Sequence, residues 1–206
     1  MPWECSPDNP WWRPRTATYP ASDRLMPGDV LLFVPRNPSI IESVIQRQQE
    51  HWGATSEHAR FTHAALYIGL DHLICEAVPQ GGIRYSTLDS RLDDFCWLAR
   101  RWPGLTLVQG QRIASEAVFR LGKPYGWRSI IEGFLTRGKL LDDAAAERLV
   151  CSRLCDRAIV RALLGEGFSG AEVVFHPNAG ALVTPATLSQ TAKLMDIDLG
   201  WRRVSV

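Results

Sequence analysis

Two apolar runs set around a short turn restrict this chain more than any other feature. Phe61-Thr62-His63-Ala64-Ala65-Leu66-Tyr67-Ile68-Gly69 and Leu73-Ile74-Cys75-Glu76-Ala77-Val78 flank Leu70-Asp71-His72, the layout of a β-hairpin whose strands lie in a core. Each arm carries one residue out of keeping with it. His63 and Glu76 stand at similar distances from the turn, so a roughly symmetric register makes them directly or diagonally opposed. A lone histidine in an apolar strand is ordinarily a satisfied core residue. An unpaired carboxylate in a dry site costs several kcal/mol, so Glu76 requires a partner, and His63 is within reach.

The remaining sequence supplies elements that pack on such a hairpin. Met26 to Val34 joins a Pro-Gly-Asp turn to a buried strand, with Asp29 accepting backbone N–H bonds of the turn. Ser39 to Trp52 sets Ile40, Ile41, Val44, Ile45 and Gln48 at helical intervals behind a Ser39 cap, and the polar stretch to Arg60, with His51 and His58, reads as a surface loop. Ile83 to Ser86 and Asp93 to Arg101 continue the sheet. Thr106 to Leu121 is helical and closed by Gly122, and Gly122 to Trp127 is a tight aromatic loop ahead of Ser129 to Leu135. Lys139 to Val150 is a charged, exposed approach to Cys151. Ala171 to Phe175 reads as a short strand or loop, Thr184-Pro185 opens a last helix, and Leu199 to Val204 suits a closing strand. Residues 1–24, proline-dense and carrying Trp3, Trp11 and Trp12, read as an extended arm on one domain spanning 25–206.

From Cys151 onward, Cys151, Cys155, Ala158, Ile159 and Ala162 recur at helical spacing while Arg153, Arg157 and Arg161 share another face. The pattern predicts an amphipathic helix ending near Gly165 and Gly167. Cys151 falls in its first turn, where unpaired backbone N–H groups and the helix dipole favour the thiolate. It is a candidate nucleophile; the alternative is a buried cysteine at a helix start.

A chain of 206 residues, 46% hydrophobic and 22% charged, suits one globular domain. A net charge of +1 with dispersed basic residues gives no nucleic-acid footprint. No apolar run reaches the length of a membrane span, and Met1 to Pro7 lacks a signal-peptide layout, so the chain is expected to be cytoplasmic as synthesised, with no stable membrane insertion. Five cysteines, an odd number, argue against a fully paired disulfide framework and suit a reducing compartment, with Cys5, Cys75 and Cys96 inert.

Cysteine, histidine and carboxylate are the parts of a thiol-dependent acyl-transfer site: a nucleophile, a base and a group that orients the base. Three alternatives stay open. Cys151, Cys155 and His63 could supply three zinc ligands; the acyl group could pass to an acceptor other than water; or the fold could bind without catalysis.

At Pro27-Gly28-Asp29-Val30-Leu31-Leu32, Thr62 to Gly69, Glu76-Ala77, Gly122-Lys123-Pro124-Tyr125, Cys151-Ser152-Arg153-Leu154 and Thr184 to Leu188, the sequence resembles the circularly permuted branch of the NlpC-type papain-like cysteine hydrolases, the YaeF/YiiX-like group. It is more distantly similar to lecithin:retinol acyltransferase-like proteins. The histidine hairpin precedes the cysteine helix, as in the permuted branch. The resemblance implies an α+β papain-like fold, an antiparallel sheet or small barrel packed against helices. It further implies Cys151 as nucleophile, His63 as base, Glu76 as orienting residue, and Tyr125 with Ser152 on the substrate and oxyanion side. No cofactor is implied. It points to an amidase or endopeptidase acting on peptidoglycan peptides. With no signal peptide, such a substrate suits an antibacterial effector exported by a specialised secretion system, with an immunity protein as partner. The rival expectation is an intracellular amidase on small peptides or acylated amino acids.

Overall fold

The structure, a computed structural model, describes residues 18–20, 22–69, 72–91, 94–126, 149–175, 182–199 and 201–203. The arm up to residue 17, the segment from Ser129 to Leu135 and the approach from Lys139 to Arg148 lie outside the described residues.

Eight strands and six helices are described: β1 (Thr18–Pro20), β2 (Val30–Pro35), α1 (Ile40–His51), α2 (Ser56–Ala59), β3 (His63–Tyr67), β4 (Leu73–Val78), β5 (Gly82–Thr87), β6 (Phe95–Arg101), α3 (Leu107–Val118), α4 (Cys151–Leu164), α5 (Gly170–Val173), α6 (Pro185–Gln190), β7 (Met195–Asp196) and β8 (Trp201–Arg203). Six strands form one antiparallel sheet in the order β5-β4-β3-β2-β6-β7. Of the two forms expected, the open sheet is the one found. The expected closing strand is β8, which pairs with β1 at the end of the extended arm.

β2 is buried at every position because the sheet is covered on both faces. On one face Val30, Leu32, Leu66 and Leu98 meet Ile113 of α3 and Leu154 and Ala158 of α4. On the other, Leu31, Phe33, Ile74 and Trp97 lie with Leu25, Leu88 and Leu199. Asp29 accepts the Met26 N–H at 2.8 Å, as the turn chemistry predicts, and Arg101 holds its other oxygen at 2.7 Å. Thr184 caps α6 as expected, and Thr106 caps α3, each with a reciprocal bond from the third helical residue.

Four expectations are corrected. Three of the apolar residues of α1 do not face the core: Ile40, Ile41 and Val44 are 85, 56 and 44% exposed. The helix is docked instead by buried Gln49, whose amide donates to the carbonyls of Ala59 and Phe61, both at 2.8 Å, and accepts the Ala186 N–H at 2.9 Å. The stretch before Arg60 contains a helical turn, α2, and the one before Phe175 is helical at α5, where the Glu172 carboxylate takes the Ser169 N–H at 2.7 Å and closes a capping box. Cys96, expected to be an inert thiol, is disulfide-bonded, whereas Cys75, Cys151 and Cys155 are free. One disulfide beside three free thiols is, as expected, not a fully paired framework.

Candidate active site

The register of the hairpin places Ala65, not His63, opposite Glu76. Strand alternation then sets His63, two residues from Ala65, on the same sheet face and diagonal to Glu76. The diagonal is closed by a hydrogen bond: His63 Nε2 and Glu76 Oε2 lie 2.8 Å apart. The Cys151 thiol also hydrogen-bonds the imidazole. Phe33, on the neighbouring strand, backs the ring at 5.6 Å between centroids.

Cys151 is the first residue of α4, and the preceding Val150 has no side chain able to cap the helix. The orphan N–H groups of that first turn stay available. The Ser152 N–H reaches the sulfur, as does the N–H of Ala64, one position beyond the last β3–β4 pair. The Ser152 hydroxyl itself donates to the Val183 carbonyl at 2.7 Å, so this residue serves the site through its backbone and ties α4 to the segment before α6.

The electrostatics follow from these contacts. Burial disfavours a charged His63, but the Cys151 thiolate and Glu76 outweigh it and raise the imidazole to about 9. Burial likewise opposes ionisation of Cys151, yet the imidazolium and the two N–H groups hold its thiol below the ordinary value. Each of the two therefore favours the charged form of the other. Glu76, fully buried, is held down at about 2 against burial by His63 and Arg91. The other free cysteines contrast with this. Burial pushes Cys75 up to about 12 and Cys155, one turn along α4, well above the ordinary thiol.

Tyr125 is brought beside the helix start by a backbone bridge to Leu149. Gly82 makes this possible, with φ +68° and a Cβ position only 2.3 Å from the Lys123 carbonyl, so the loop before Tyr125 bonds directly to Ile83. Burial, then the charge of Cys151, keeps the Tyr125 phenol protonated and hence a potential O–H donor. Cys151 and Tyr125 open onto a cleft walled by Ile45, Trp52, Val150, Leu182 and Pro185.

Sequence reasoning missed two residues. Arg84 lies directly across from Glu76 on β5, with Nε and a terminal nitrogen 3.4 Å from Glu76 Oε1. Arg91 donates to the same oxygen through a short hydrogen bond. The Gly81-Gly82 turn was a usable signal for Arg84, since counting outward from it brings Arg84 opposite Glu76. Nothing local marked Arg91, the last residue of the 3-10 turn Asp89–Arg91.

The fold is of a mixed α+β class, a six-stranded antiparallel sheet packed against helices. Among solved structures the chain is similar to the metalloprotein YiiX from Escherichia coli O157:H7, DUF1105, with a TM-score of 0.57 and 19% identity over 87% of this chain and 99% of that one. At that identity the likeness is one of fold. No protein-family model matches the chain, and no curated protein matches it. Among the described residues, no group of three or more His, Cys, Asp or Glu side chains is placed to hold a metal ion. Nor does any described helix have the length and apolarity to cross a membrane.

Proposed function

We propose that the chain is a cysteine hydrolase that cleaves an amide or ester through an acyl-enzyme on Cys151. The observation that carries this is the unbroken contact from Glu76 through His63 to a sulfur that also meets two backbone N–H groups. In the first step the thiolate attacks the substrate carbonyl, and the oxyanion draws on helix-start N–H groups and the Tyr125 hydroxyl. The His63 imidazolium passes its proton to the leaving nitrogen or oxygen as the bond breaks. Neutral His63 then takes a proton from water, whose hydroxide displaces the thiolate and releases the acid. Glu76 stays ionised throughout and fixes the ring.

An amide of a peptidoglycan peptide is the substrate suggested by the resemblance, and an oxidising periplasm is compatible with the Cys96 disulfide. The effector reading, with an immunity protein covering the cleft, belongs to the same proposal. The apolar walls of the cleft favour a second reading, in which the acyl group is a hydrocarbon chain on a lipid or an acylated amino acid. Incubation with muropeptides, N-acyl amino acids and phospholipid vesicles, followed by mass spectrometry against Cys151→Ala, separates them. Cleavage of one class by the wild type alone is expected; no cleavage of any class, with no acyl adduct on Cys151, would overturn the hydrolase.

A further inference from the structure

Glu76 divides its two oxygens between two tasks. Oε2 faces His63, while Oε1 takes both guanidinium groups, Arg91 closely and Arg84 at 3.4 Å. Arg84 is half-exposed, with 47% of its side chain accessible, whereas Arg91 is 19% accessible and packs with its guanidinium carbon 5.9 Å from the centre of the Phe95 ring. Phe95 stacks edge-on with Phe33 at 5.9 Å, and Phe33 backs His63. Arg91 therefore touches the carboxylate that holds the imidazole and, through Phe95, is linked to the Phe33 wall behind it.

We infer that Arg91 is a positioning residue of the thiol site, holding one oxygen of Glu76 so that the other stays on His63 and the Cys151 thiolate is sustained. The cause is electrostatic. A fully buried carboxylate without a close cation gains by taking up a proton or swinging toward the exposed Arg84. Either change withdraws Oε2 from His63, the imidazolium loses its support, and the thiol becomes harder to ionise. Arg84, screened by solvent and farther away, contributes less.

The inference rests on the proposed thiol chemistry, but its test needs no substrate. The rate at which iodoacetamide labels Cys151, read by mass spectrometry across pH, reports the thiolate directly. For R91Q the acid limb is expected to move up by about one pH unit, cutting labelling near pH 6 about tenfold, while R91K stays within about 0.3 unit of the wild type and R84Q shifts less than R91Q. In an E76Q background, R91Q should add nothing, and that doubly neutral protein remains measurable if R91Q alone folds poorly. A wild-type profile in folded R91Q, an R91K shift as large as that of R91Q, or an R91Q effect that persists beside E76Q would overturn the inference. A wild-type protein that labels as expected yet cleaves nothing would count against the proposed function and leave this relation intact.

Discussion

His63 meets Glu76 across a diagonal of the β3–β4 pair, at 2.8 Å, while Ala65 occupies the position directly opposite the carboxylate. An alanine there leaves room for the longer side chains to converge on one face. The contact gives Glu76 an orienting task that a neutral amide performs poorly. E76Q is expected to lower turnover about a hundredfold or more and to move the alkaline limb down from about 9. It should also destabilise the fold by about 2 kcal/mol, since partly buried Arg91 loses its anion. Rate profiles across pH and urea denaturation check the two effects separately.

The same pair sets how stability responds to pH. Glu76 at about 2 lies below its unfolded value of 4.5, so its share of stability is complete above about 4.5 and is lost as pH falls toward 2. His63 at about 9 lies above its unfolded 6.5, so its share is complete below about 6.5 and is lost as pH rises through 9. Cys151, whose thiol is lowered from an ordinary 9.0, gives a share that is complete above about 9 and is lost as pH falls below it, so it offsets part of the His63 loss. Urea midpoints measured across this range should fall at both ends, and the alkaline fall should be absent from H63Q.

Two thiols one helical turn apart are predicted to behave oppositely. Cys151 should be labelled by iodoacetamide at neutral pH in the native protein, while Cys155 and Cys75, both pushed up by burial, should not. C151A abolishes turnover. C155A keeps it, at a stability cost of about 1 kcal/mol for the small cavity. Peptide mapping after native labelling reads the first outcome and steady-state rates the second.

Much of this site was legible because its parts obey local rules. The hairpin runs and their turn put His63 and Glu76 within reach of one another, and the helical spacing after Val150 put Cys151 in a first turn. What was not legible depended on partners far along the chain. Ile40, Ile41 and Val44 sit at helical intervals, yet α1 is oriented by Gln49, a residue no apolar pattern selects. Arg91 reaches Glu76 only because a 3-10 turn follows β5 and redirects the chain. Cys96 shows the same limit for covalent bonds: a cysteine count carries no geometry.

Alkylation of the denatured protein without reductant should leave Cys96 unmodified and modify Cys75, Cys151 and Cys155. Prior reduction should expose Cys96 and lower the unfolding free energy by about 2–4 kcal/mol. A Cys96 that is alkylated without reductant would remove the disulfide and, with it, the support for work in an oxidising compartment.

Gln49 links the wall of the cleft to the rest of the fold. Its amide nitrogen joins α1 to the carbonyls of Ala59 and Phe61, and its oxygen receives the Ala186 N–H at the start of α6. Gln49→Leu is close in volume but leaves three buried backbone groups without this partner, at a cost of about 2–4 kcal/mol. Ile45 and Trp52 of the α1 segment and Pro185 of α6 then lose their common brace, although none of them touches His63 or Glu76 in the hydrogen-bond network. The expected signature is a KM raised several-fold, with the iodoacetamide profile of Cys151 unchanged. A labelling profile that shifts together with KM would instead place Gln49 in the support of the thiol.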